Sequence, residues 1–224
     1  MVDILKGPSI TKHQNPKKLM IMLHGYGDNA TNFIQIANLI DQDDWEMKYV
    51  ALNAPDTIQD YPMGYEWFQL YLNGTHISNA SAKEYDVVKN KISKNIEKIY
   101  NSISLLLENS NLNMSDCFVK GFSQGGIIAF ELGKILQKHL AGLAIISSRI
   151  ISKEHEPNNA FLKTPIFISH GGQDAVLPVS NYNESIEVLK NFNYNYENHL
   201  IEKDEHTMSQ ETITLLQNFI KKNI

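Results

Sequence analysis

A single cysteine, Cys117, occurs in the whole chain, so no disulfide can form within it. The fold must be held by a packed core, and a lone thiol suits a reducing compartment, where it packs as a small buried hydrophobe. Long hydrophobic runs are missing as well. No stretch approaches the roughly 20 apolar residues that span a bilayer. Met1-Val2-Asp3-Ile4-Leu5-Lys6 lacks the charged-then-apolar order of a secretory leader. A cytoplasmic location without membrane insertion is therefore expected. Positive charge is in deficit: 20 Lys and Arg stand against 25 Asp and Glu, a formal net charge of -5. That balance offers no general attraction to nucleic acid. Internal repeats and low-complexity linkers are also absent.

What is present is enough apolar material, 42% of 224 residues, for one core, and the length suits a single α/β domain over residues 1–224. Strands are predicted at Lys18–Leu23, Lys48–Asn53, Asp116–Gly121, Leu140–Ser147, Pro165–His170 and Asn193–Glu202. Helices are predicted between them. From about Ala82 to Glu108, Val87, Val88, Ile92, Ile96, Ile99 and Ile103 recur at three-to-four spacing as a core-facing stripe. A helix is also expected from about Asn29 to Ile40, and an amphipathic one from Met208 to Lys221. This alternation predicts a mainly parallel sheet covered by helices on both faces. Ile4–Lys12 leaves open an antiparallel first strand. Ala54–Asn79 is the one long irregular stretch, rich in Pro, Gly and aromatic residues.

The most telling segment is Gly121-Phe122-Ser123-Gln124-Gly125, between an apolar strand and an apolar helix. It has the form of a nucleophile elbow, a sharp strand-to-helix turn that exposes one hydroxyl. The glycines two places either side are required because a Cβ there would collide as strand and helix fold back on each other. The pattern alone is weak evidence, and its partners decide. A serine needs a base, and the base needs an orienting group. Asp174 follows the Pro165–His170 strand in Gly171-Gly172-Gln173-Asp174, and His206 follows the last strand in Lys203-Asp204-Glu205-His206. Both emerge where an open parallel sheet builds its sites.

Other histidines fit less well. His199 lies within a strand pattern and His139 at a helix end, while His13, His76 and His155 sit in polar connectors. His170 begins the Gly-Gly turn and is expected to be a structural hydrogen-bonder. Asp204 and Glu205 adjoin His206 too closely to hold its ring, and Asp116 lies at the wrong end of its strand. For a developing oxyanion, two backbone N–H donors are needed. Tyr26, in Leu23-His24-Gly25-Tyr26-Gly27-Asp28, and Gln124, just after the serine, are the candidates. Trp67 and Phe68, within the long loop, are expected to border the substrate groove.

Four of these pieces together resemble the small carboxylesterase and acyl-protein thioesterase (phospholipase/carboxylesterase) family of the α/β-hydrolases. They are Leu23–Asp28, Gly121–Gly126, His170–Asp174 with Leu177-Pro178, and His206 before the last helix; Gly64-Tyr65-Glu66-Trp67-Phe68 is similar to the family's Trp-Phe segment. The resemblance covers essentially the whole chain in order and spacing. It implies an α/β-hydrolase fold, and the short interval Ser148–Lys163 between predicted strands leaves no room for a large lid domain. It further implies hydrolysis of carboxylic esters or thioesters through an acyl-enzyme on Ser123, with His206 and Asp174, and with neither metal nor organic cofactor. The substrate would be a small-molecule ester or thioester, with a lipid or an acylated protein as open alternatives. Monomer and homodimer are both open. One departure stands out: the family usually has a small residue and Met around the histidine, whereas Asp204-Glu205 here adds two carboxylates, which are expected to favour imidazolium. A peptidase, an acyltransferase or a non-catalytic binding protein on the same scaffold are the rivals.

Overall fold

The computed structural model describes residues 3–42, 45–72, 74–77, 81–154 and 156–224. Its elements run β1 (Ser9–Thr11), β2 (Lys18–Leu23), α1 (Ala30–Phe33), α2 (Ala37–Ile40), β3 (Met47–Leu52), β4 (Asp56–Ile58), β5 (Tyr61–Glu66), β6 (Tyr71–Leu72), β7 (Thr75–His76) and α3 (Ala82–Ser110). They continue with β8 (Cys117–Phe122), α4 (Gln124–Gly133), β9 (Gly142–Ile146), α5 (Asn159–Lys163), β10 (Ile166–Gly171), α6 (Val179–Asn191), β11 (Tyr196–Ile201) and α7 (Gln210–Asn223). Seven strands form the central sheet in the order β1-β3-β2-β8-β9-β10-β11. All neighbours are parallel except β1, which runs antiparallel to β3 and settles the question left open for Ile4–Lys12.

The inner parallel strands β2, β8, β9 and β10 are buried on both faces, which is why they read as largely apolar runs, whereas the edge strand β11 is mostly half-buried or exposed. On one face, α3 lays Val88, Ile92, Ile96, Ile99 and Ile103 against the sheet beside α4 and α6. On the other, Phe33, Ala37 and Ile40 join Ile213, Leu216 and Phe219 from α7. Val87, expected in the α3 stripe, is 57% exposed. One residue is about 100° of helix rotation, so Val87 and Val88 cannot share a face. Ser81 and Glu84 start α3 with a reciprocal capping box.

Two expectations are corrected. The helix expected over Asn29–Ile40 is broken into α1, a 3-10 turn at Ile34–Ile36, and α2. Its β-branched and Asn-rich sequence is a mediocre helix former, and the tighter turn lets Phe33, Ile34, Ala37 and Ile40 all reach the sheet. The stretch read as irregular from Ala54 contains two small hairpins, β4–β5 and β6–β7. A register shift between Thr57 and Ile58 breaks the period-two signal. The turns use Asp60 and Gly74, both at positive φ. Asn79, the expected end of that stretch, and His155 lie outside the described residues.

Lys120 is fully buried on β8. It shares a strand face with Phe118, toward the α1–α7 side, where its Nζ lies 4.4 Å from the centroid of the Phe33 ring and 3.5 Å from Met208 Sδ.

Candidate active site

Every candidate group is set by a connection at the C-terminal edge of the parallel sheet. After β8 the chain reverses at Ser123, with φ 52° and ψ -119°, and α4 begins at once. Such a backbone is strained for any residue with a Cβ. The reversal depends on its flanking glycines. A Cβ on Gly121 would stand 2.2 Å from the Gly125 carbonyl oxygen, and one on Gly125 would stand 2.2 Å from that of Leu23. The bend is also tied from β9: Ser123 N–H donates to the Ile146 carbonyl at 3.0 Å, and the Ser148 hydroxyl donates to the Ser123 carbonyl at 2.6 Å.

Asp174 sits in the turn after β10. Its Oδ1 accepts the N–H groups of Val176 at 2.9 Å and Leu177 at 2.8 Å, which leaves Oδ2 aimed at His206. His206 arrives on the loop after β11 because Gly171 and Gly172 let that loop lie flat on the turn. A Cβ on Gly171 would meet the carbonyls of Asp204 and Glu205 at 2.3 Å. Gln173 N–H donates to the Asp204 carbonyl at 2.8 Å, and the Ser147 hydroxyl holds the Thr207 carbonyl at 3.1 Å. The backbone of the Asp204-Glu205 pair thus docks the loop. Its carboxylates are directed elsewhere: Asp204 Oδ2 lies 3.5 Å from the Thr212 hydroxyl, and Glu205 is exposed.

The three groups form one chain. His206 Nδ1 lies 2.7 Å from Asp174 Oδ2, and His206 Nε2 lies 2.9 Å from Ser123 Oγ. An ionised carboxylate only accepts, so Nδ1 carries the proton and Nε2 accepts from the hydroxyl. Such an arrangement can draw a proton from Ser123 and hold the resulting imidazolium against a buried carboxylate. His170 has a different place: its Nε2 donates to the Leu177 carbonyl at 2.8 Å and lies 3.5 Å from Asp174 Oδ2, bracing the aspartate turn.

Tyr26 and Gln124 lie on two different connections at this edge. Among the described residues neither backbone N–H has an acceptor, and both residues border the same cleft as Ser123. At the first position of α4, the Gln124 N–H is one of the donors that a helix leaves unused. The Tyr26 loop is held by reciprocal bonds, Gly27 N–H to the Tyr65 carbonyl at 3.0 Å and Tyr65 N–H to the Asp28 carbonyl at 2.9 Å. His24 is a strut: its Nδ1 donates to the Gly25 carbonyl at 2.7 Å while Nε2 accepts from Ala54 N–H at 3.1 Å. Burial lowers its pKa below the ordinary histidine value, which suits this neutral tautomer.

A cavity of about 270 Å³ opens beside Ser123, walled by Phe68, Leu70, Ile77, Val88, Ile127 and Leu177. Phe68 lies where a groove residue was expected. Trp67 does not: it is fully buried behind the wall, with Nε1 donating to the His24 carbonyl at 2.9 Å and its N–H to Gln124 Oε1 at 2.8 Å. Two cations on the cleft wall, Lys89 and Arg149, escaped sequence reasoning. Arg149 had one available signal, its position just past the C-terminal end of a predicted strand. Among the described residues no cluster of three or more His, Cys, Asp or Glu is placed to hold a metal.

The phospholipase/carboxylesterase family model matches residues 8–224. Acyl-protein thioesterase 1 of Debaryomyces hansenii is 28% identical, over 91% of this chain and 90% of that protein. The protein of that name from Saccharomyces cerevisiae is 25% identical over 95% and 96%. Among solved structures, esterase PE8 superposes with a TM-score of 0.83 over 99% of this chain and all of that one, at 23% identity. The Bacillus cereus carboxylesterase gives 0.77 over 98% and 95%, at 15% identity. With its sheet, its helices on both faces and a family match from residue 8 to the last residue, the chain belongs to the phospholipase/carboxylesterase family of α/β-hydrolase enzymes.

Proposed function

We propose that the protein is a serine hydrolase that cleaves esters or thioesters of short-to-medium acyl chains through a covalent acyl-enzyme. The observation that carries this is the Asp174–His206–Ser123 chain, with contacts of 2.7 and 2.9 Å beside an apolar cleft. Ser123 Oγ bonds to the substrate carbonyl carbon as His206 Nε2 takes the hydroxyl proton. Negative charge on the carbonyl oxygen is met by the N–H groups of Tyr26 and Gln124. The C–O or C–S bond then breaks, and His206 gives its proton to the leaving alcohol or thiol. Water enters, His206 removes its proton as the water oxygen bonds to the acyl carbon, and the acyl C–Oγ bond then breaks with His206 returning the proton to Ser123 as the acid leaves.

A cavity of about 270 Å³ falls near the lower end of ligand sites, which start at about 300 Å³, and suits short-to-medium chains. The relatives named acyl-protein thioesterase 1 favour an acyl-cysteine thioester among the physiological candidates, ahead of a lysophospholipid. The reading takes the enzyme as cytoplasmic, on the support of its single, unpaired, buried Cys117. Labelling by a fluorophosphonate probe tests the activated serine. A panel of matched oxygen esters and thioesters of varied acyl length then ranks the substrates. Absence of labelling in folded protein would overturn the proposal.

A further inference from the structure

The cleft beside Ser123 carries charge of one sign only. Lys89, from α3, and Arg149, just past β9, border it, and no Asp or Glu does among the described residues. This is notable in a chain of formal net charge -5. Arg149 is half-buried, and three half-buried lysines elsewhere are each paired with a carboxylate: Lys91 with Asp56 at 2.7 Å, Lys18 with Asp116 at 3.3 Å, and Lys134 with Glu131. Arg149 has no carboxylate within ion-pair distance among the described residues. Its Nη1 donates to the neutral Asn181 Oδ1 at 3.3 Å, and its Nε–H is buried without an acceptor. Glu184, the carboxylate that feels its charge, is occupied by Lys153 at 2.6 Å. Lys89 is held by the Tyr85 ring, its Nζ 4.9 Å from the centroid.

A guanidinium with five donors and one neutral partner, on an apolar wall, is short of an acceptor. Arginine is suited to supply a forked, charge-assisted pair to a carboxylate or phosphate. Its position links it to the chemistry, because Ser148, its chain neighbour, donates to the Ser123 carbonyl at 2.6 Å. A purely hydrocarbon acyl chain would use neither cation. We propose that the cleft receives an ester or thioester bearing a second, anionic group, and that Arg149, assisted by Lys89, recognises that group and sets substrate preference. This inference rests on Ser123 being the nucleophile.

The test compares two nitrophenyl esters of equal acyl length, a butyrate and a hemisuccinate, on full-length wild type, Arg149→Met, Arg149→Lys and Lys89→Met. The readout is the ratio of kcat/KM, anionic over neutral, which cancels any general loss from misfolding. Removing a charge-assisted hydrogen bond should lower the ratio by about tenfold or more in Arg149→Met. Arg149→Lys should recover part of it, and Lys89→Met should lower it less. Inhibition by butyl phosphate against butyrate separates phosphate from carboxylate preference. A ratio unmoved by Arg149→Met, with the neutral ester still cleaved, would overturn the inference and leave the nucleophile reading standing; Arg149 would then be a rim side chain covering apolar surface. If neither ester is cleaved and the fluorophosphonate fails to label Ser123, the nucleophile reading falls and this inference falls with it.

Discussion

The side-chain amide of Gln124 holds the backbone of the Trp67–Phe68 segment by both ends: Oε1 accepts Trp67 N–H at 2.8 Å, and Nε2 donates to the Phe68 carbonyl at 2.7 Å. Asn95 on α3 completes the clamp by donating to the Trp67 carbonyl. The residue whose N–H is proposed to bind the oxyanion thereby also fixes one wall of the cleft. Gln124→Ala would leave two buried backbone groups unpaired, at about 1–3 kcal/mol each. The melting temperature should fall by several degrees, and kcat/KM should drop because Phe68 loses its anchor. A variant as stable as wild type in thermal denaturation would show that the clamp contributes nothing.

Ser123→Ala and His206→Ala should each remove most of kcat, and the double variant should be little worse than either alone, since such groups act as a unit. Both variants should stay folded: His206 is held by the backbone of its loop, and Ser123→Ala keeps the same bend. Turnover by folded Ser123→Ala above about a tenth of wild type would remove the nucleophile assignment.

Lys120 gives a pH-dependent stability. Among the described residues its ammonium meets an aromatic ring and a thioether and no carboxylate, and burial pushes its pKa down to about 7. An unfolded lysine titrates near about 10.4. Between those values the unfolded chain binds a proton that the folded chain does not, so this residue makes stability rise with pH across that window. Below about pH 7 both states are protonated, and the burial penalty is present in full. Lys120→Met should therefore stabilise the fold by on the order of a few kcal/mol near pH 6 and by progressively less toward pH 10. Urea unfolding at both ends of the window checks this. A gain independent of pH would sink it.

Acyl length should matter only until the cleft is full. Each added methylene contributes up to about 0.8 kcal/mol when buried, so kcat/KM should climb over short chains and then level off. Ser148–Lys163 is too short for a lid domain: Ile150 and Phe161 are committed to the core, and Ile151 lies on the cleft wall. Rates should saturate smoothly with monomeric substrate. A sharp rise at the aggregation threshold would point to interfacial activation.

The inner parallel strands were legible because both faces are buried, and continuous apolar runs such as Leu19–Leu23 carry that fact in one dimension. Ser123, Asp174 and His206 could be singled out because each follows a predicted strand, and the structure places His206 within hydrogen-bonding distance of both the others. The β4–β5 and β6–β7 hairpins were not legible, being short, bulged and interrupted by Pro62. Trp67 was misplaced because aromatic character is the same on a groove wall and behind it; only its N–H and indole bonds reveal the difference. Arg149 and Lys120 escaped notice because an isolated charge carries no periodicity, and whether it has a partner is decided by residues distant in sequence.

The backbone at Ser123 carries a further consequence. With φ at 52° and ψ at -119°, the bend is one that glycine adopts freely and serine does not, at about 1–3 kcal/mol for such a strained residue. Thermodynamics alone would favour glycine there, so Ser123→Gly should melt above wild type while lacking the hydroxyl. The hydroxyl proposed as the nucleophile thus stands where stability and reactivity pull in opposite directions.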